Sequence, residues 1–235
     1  DALVENNSIW LGNDPSGTTD TASNNVAVGT TALDSITTGD DNTAIGYNSL
    51  QTNTTGATNT AVGGTSLYTN LGGSYNNAFG YSALYYNTSG THNVAVGRLA
   101  GYSNTTASYN VSVGNSALQT NSTGANNTAV GHQALDANTT ASNNTAVGYD
   151  ALGANTTGAS NIAVGAYAVD ANTEGSSNIG VGVGALGTNV TGSNNTAIGG
   201  SGVLGVNLAS NNTAVGYSAL DANTSGTPNT AVGVN

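Results

Sequence analysis

The sequence predicts an all-β fold, a parallel β-solenoid (β-roll or β-helix) of about fourteen coils, each 17 residues long. Three observations predict it. A glycine recurs every 17 residues without slippage, at Gly12, Gly29, Gly46, Gly63, Gly80, Gly97, Gly114, Gly131, Gly148, Gly165, Gly182, Gly199, Gly216 and Gly233. The residue before that glycine is apolar in every copy, and the residue two before it is small in every copy but one, Trp10. Asn stands four before it throughout, except in the first copy, where Ser8 takes its place.

The chain begins with an irregular N-terminal coil and transition over residues 1–22. Ile9-Trp10-Leu11-Gly12 keeps the repeating phrase, but Asp14 and Pro15 interrupt the place where later copies have Ala-Leu. Trp10 reads as part of that transition, with a ligand-stacking role as the sharper alternative. Residues 23–235 are regular 17-residue repeats. Two units deviate, at Arg98-Leu99-Ala100-Gly101 and over residues 202–207, and each shift predicts a local bulge. Neither end looks capped, although open solenoid ends expose strand edges that proteins normally cover.

Within a unit, Thr/Val-Ala-Val is a short β-branched run with period-two alternation, bounded by Asn and Gly. It predicts a strand of about four or five residues. Ala-Leu before Asn-Thr-Thr-Gly predicts a second short strand and a turn, because Asn and Gly accept left-handed backbone. The density of Gly and Asn penalises a helix. Stacked coil on coil, the predicted core ladder is Val28, Ile45, Val62, Val96, Val130, Val147 and Val164 with Leu50, Leu118, Leu135 and Leu152. Adjacent coils would lie about 4.8 Å apart. The stacked Asn columns turn the chain and could add amide ladders along the axis.

Strand alternation then points the small residue two before the glycine outward. Ala27, Ala44, Ala61, Ala95, Ala129, Ala146, Ala163, Ala197 and Ala214 form that column. An outer face free to vary would drift, so its constancy predicts close packing of a second chain. Self-association follows, with a homotrimer of parallel rods expected.

Composition narrows the classes. Twelve acids face a single Arg98 with no Lys, for a net charge of −11. Phosphate neutralisation is therefore excluded, so no nucleic acid is expected as a partner. Anionic membranes are equally poor partners, and no apolar run reaches the length that membrane insertion needs. There are no cysteines, hence no disulfide or thiolate site. An acidic, Lys-free surface suits an extracellular, cell-surface or virion location.

No enzyme is expected. Glycosidic hydrolysis needs two carboxylates at a defined separation. Asp34, Asp136, Asp170 and Asp221 share a column but fall coils apart, and His92 and His132 occupy different columns. No resident cofactor is expected. A Ca²⁺ ion near Asp34, Asp40 and Asp41 is the one metal reading the acids allow, although the calcium β-roll pattern is absent. Tyr68, Tyr85 and Tyr102 lie on successive coils beside Tyr86, and this stripe is the candidate ligand-binding site for a cell-surface glycan or protein receptor. The bland reading of these rings is packing at subunit seams. Thr pairs such as Thr54-Thr55 and Thr156-Thr157 raise ice binding as a minor alternative, though Leu71 and Val190 interrupt the column.

Phrases such as Asn212-Thr213-Ala214-Val215-Gly216-Tyr217-Ser218-Ala219-Leu220 resemble the head repeat of trimeric autotransporter adhesins. They are more similar still to arrays in phage tail-fibre-like proteins. The resemblance covers nearly the whole chain and implies a trimerising β-roll with an adhesive role. Two features depart from it: the unit is longer than the adhesin head repeat, and no neck, stalk or anchor is present. The sequence thus predicts a non-enzymatic fibre segment, an adhesive or receptor-binding rod. A structural filament subunit polymerising through its coil ends is the alternative.

Overall fold

A computed structural model describes residues 2–12, 19–200, 209–223 and 225–234. Among them the chain is all β, without a helix. The strands are β1 (Ala2–Glu5), β2 (Ser8–Leu11), β3 (Val26–Val28), β4 (Thr43–Ile45), β5 (Thr60–Val62), β6 (Asn77–Phe79), β7 (Val94–Val96) and β8 (Val111–Val113). They continue with β9 (Thr128–Val130), β10 (Thr145–Val147), β11 (Ile162–Val164), β12 (Ile179–Val181), β13 (Thr196–Ile198), β14 (Thr213–Val215) and β15 (Thr230–Val232). From β2 onward each strand stops at the residue before a period glycine.

The chain divides into two compact units, Asp1–Ser116 and Ala117–Asn235. In the first, β2 to β8 each pair in parallel with the next strand. In the second, β9 to β15 do the same. Registers never shift: Val130 pairs with Val147, and Val147 with Val164. The period of the sequence is therefore the period of the β-solenoid coil, and a column of letters is a row of neighbours.

The strand faces are opposite to the sequence expectation. The Ala column points inward, so Ala27, Ala44, Ala61, Ala95, Ala129, Ala146, Ala163, Ala197 and Ala214 are fully buried in the chain's own core and offer no surface to a partner. Val28, Ile45, Val62, Val96, Val130, Val147 and Val164 are not core; they stand half-exposed on the outer face. The reason is room. From β3 onward the strands are only three residues long, and the interior opposite them is filled by the Leu four after the glycine and the Ala before that Leu. A methyl group fits against Leu where a valine would overpack. Leu50, Leu118, Leu135 and Leu152 are buried there.

The Ala-Leu pair is not a strand. It sits in a turn, with the leucine in left-handed backbone: φ is 53° at Leu118, Leu135 and Leu152. That conformation costs a leucine about 1–2 kcal/mol, while burying its side chain returns about 1.5–3 kcal/mol. Burial wins. Glycine would relieve the backbone and leave the coil hollow. Two further columns are left-handed, as at Asn143 (φ 64°) and Asp150 (φ 54°), and these carry mostly Asn, Ser, Asp and Thr. Short polar side chains tolerate the region best.

At Gly148 (φ 141°) the constraint is stronger. A Cβ there would lie 2.5 Å from the carbonyl oxygen of Gly165 on the next coil. Coil contact as well as φ enforces the period glycine.

The Asn columns are ladders as well as turns. The Asn161 amide donates to Asn144 Oδ1 (2.8 Å), and Asn144 Nδ2 donates to the Gly158 carbonyl (3.0 Å). Asn155 Nδ2 donates to the same carbonyl (2.9 Å) and to Asn138 Oδ1 (3.0 Å). Two buried amide rows thus converge on one backbone oxygen, whose two lone pairs match two donors. The arrangement repeats at Gly56, served by Asn42 and Asn53.

At the start, β1 pairs antiparallel with β2, matching Leu3 to Trp10, and so covers the β2 edge. This end is capped, contrary to expectation. Trp10, on β2, is fully buried, so its ring is not open to an external ligand. The irregular unit at Leu99 and Gly101 keeps the period, with Gly101 (φ 59°) in the leucine's place. The deviation expected over residues 202–207, like Asp14 and Pro15, lies outside the described residues.

Candidate functional site

Each unit presents an outer sheet face built from two columns of every strand, three residues before the glycine and one before it. The first is Thr, Val, Ile or Asn; the second is Val, Ile, Leu or Phe. Exposure is substantial on this face: Ile45 40%, Phe79 41%, Val164 39% and Ile198 43%. The column just after the glycine borders it and supplies exposed Tyr47, Tyr81, Tyr149 and Tyr217. None of the acids falls in these three columns, although the chain carries a net charge of −11. Arg98, at the border, is the only Lys, Arg, Asp or Glu in these columns. In both units the face is mostly β-branched and nearly charge-free.

The tyrosine stripe forms as the spacing implies. Tyr68 and Tyr85 stack with centroids 4.9 Å apart, and Tyr85 stacks on Tyr102 at 5.3 Å. Tyr86 meets Tyr85 and Tyr102 edge-on, at 4.7 and 5.1 Å. The rings largely cover one another's faces, so edges and hydroxyls, rather than open ring faces, meet solvent. Burial first, then the neighbouring phenols, raises the Tyr85 pKa above the ordinary phenol value. The Tyr102 phenol is raised too, by burial and by a hydrogen bond to Tyr86.

Sequence reasoning missed two further clusters. Tyr75, His92 and Tyr109 form a stacked row with spacings of 4.8 and 5.0 Å, because their shared column is a left-handed turn position on the coil surface. The signal was visible: the three are 17 residues apart. In the second unit, His132 stacks on Tyr149 at 5.5 Å, and Tyr149 meets Tyr167 edge-on at 5.0 Å.

Asp150, on the coil between Asp136 and Asp170, is close enough to repel both carboxylates. Gly153 makes this possible. It stands in their column without a side chain, and a Cβ there would collide with the Asp150 carboxylate. Burial holds Asp136, Asp150 and Asp170 above the usual carboxylate range, with mutual repulsion adding to Asp136 and Asp170 and His132 opposing the shift at Asp150.

The other candidates are occupied within the chain. Asp40 Oδ1 accepts from the Ser23 amide (2.8 Å) and hydroxyl (3.1 Å). Among the described residues no three His, Asp or Glu side chains gather closely enough to hold a metal, at Asp34, Asp40 and Asp41 or elsewhere. The first threonine of the Thr pairs bonds along the stack: Thr54 Oγ1 donates to the Leu71 carbonyl (3.0 Å) and Thr156 Oγ1 to that of Thr173 (2.9 Å). No protein-family model, curated protein or solved structure matches the chain.

Proposed function

We propose that the chain is a non-enzymatic fibre segment that associates with copies of itself through the outer sheet face and serves an adhesive or receptor-binding role outside the cell or on a virion. The observation that carries this reading is the apolar, acid-free sheet face on a chain of net charge −11. Like-charged chains repel, and the columns that would meet in a face-to-face contact are those from which acids are missing. A contiguous apolar patch of this kind marks an interaction surface. Three copies, sheet faces inward, would bury the Thr and Val rows and leave the tyrosine clusters at the seams or outside. Repetition of weak sites along such an assembly raises avidity without new contacts.

Light scattering tests the association. The expected mass is three times the 22.9 kDa of one chain, falling to one chain in a Val130→Lys/Val147→Lys variant whose circular dichroism is unchanged. A monomeric wild type at tens of micromolar would sink the reading. A glycan array then tests adhesion, and silence across it would leave a purely structural filament.

A further inference from the structure

We propose that two tyrosine pairs, Tyr86–Tyr102 and Tyr149–Tyr167, are sites of oxidative cross-linking, each forming a dityrosine bond that staples neighbouring coils. Both pairs share one geometry. The rings meet edge-on, with centroids 5.1 Å apart at 76° in the first pair and 5.0 Å at 70° in the second. Dityrosine joins the ring carbons next to the two hydroxyls, and the edge-on approach of two rings on neighbouring coils already brings ring carbons of each pair together. Prior placement of two reacting groups replaces a bimolecular encounter with an intramolecular one.

Composition directs oxidation to these rings. The chain has no Cys and no Met, and its single Trp, Trp10, is fully buried. The usual sulfur targets are therefore missing, and tyrosine is the oxidisable side chain left at the surface. Tyr86, Tyr149 and Tyr167 are exposed. Tyr85 stacks on Tyr102 and touches Tyr86, so a radical formed on the first-unit stack can pass to the bonding pair.

The oxidant is a peroxide acting through a peroxidase. Each phenol loses one electron and its hydroxyl proton, giving two phenoxyl radicals. These join carbon to carbon, and the two ring hydrogens at the new bond move to the oxygens and restore both hydroxyls. The peroxide accepts two electrons and two protons and leaves as two waters. The protein loses two hydrogens per bond.

The test treats an equal mixture of ¹⁵N-labelled and unlabelled chains with peroxidase and hydrogen peroxide, then maps cross-linked peptides by mass spectrometry. Expected products are the 86–102 and 149–167 peptides, each two hydrogens lighter and wholly labelled or wholly unlabelled. Tyr102→Phe removes the first and Tyr149→Phe the second, and the double variant loses most dityrosine fluorescence although nine tyrosines remain of eleven. Phenylalanine keeps the ring, and circular dichroism confirms the fold of each variant. Cross-links scattered over Tyr47, Tyr81 and Tyr217, bonds of mixed isotope, or no dityrosine at all would each overturn the proposal.

Discussion

The side chains that decide most in this chain are asparagines. Asn144 donates to the Gly158 carbonyl at 3.0 Å and accepts the Asn161 amide at 2.8 Å, and both asparagines are fully buried. Asn144→Ala orphans the buried Asn161 amide, while the Gly158 carbonyl keeps its bond from Asn155, and it is expected to cost about 1–3 kcal/mol in urea denaturation. Asp150 behaves in the opposite way. Its pKa is raised on folding, as are those of Asp136 and Asp170, so each stabilises the fold most when protonated. That stability is fully present below the ordinary value of 3.8 and is lost as pH rises through the higher folded values. The second unit is therefore expected to unfold at lower urea at pH 7 than at pH 4. Asp150→Asn, which suits the left-handed backbone and relieves its two neighbours, should narrow that gap by raising stability at pH 7 alone.

At the scale of the strand, the sequence was legible in its period and misleading in its facing. Thr-Ala-Val alternates whichever side is inward, and hydrophobicity alone assigns Val to the core. What reverses it is volume: Leu135 and Leu152 reach the interior from a turn, in left-handed backbone that propensity would not assign to leucine. The expected second strand failed for the same reason. Ala146→Leu should overpack the coil and cost about 1–3 kcal/mol. Val147→Lys should leave the stability of the single chain nearly unchanged and act on association instead. Matched denaturation and light-scattering curves on the two variants separate these effects. The tyrosine stripe was readable because 17-residue spacing becomes contact, whereas the Asp136–Asp150–Asp170 row was not. It depends on a carboxylate from one column lying over Gly153 in another.

For the molecule as a whole, everything rests on one residue period being one coil. In that case distance grows linearly with the number of repeats, by about 4.8 Å each. The absence of native cysteine allows clean spin labelling on an exposed turn column of the second unit, at Thr123, Thr191 and Ser225. Pulsed electron resonance on labelled pairs, diluted with unlabelled protein to suppress contacts between chains, reads these spacings. Thr123 and Thr191 are four repeats apart and Thr123 and Ser225 six, which predicts about 19 and 29 Å. Equal distances for the two pairs, or a broad distribution without a linear increment, would contradict the stacked-coil account.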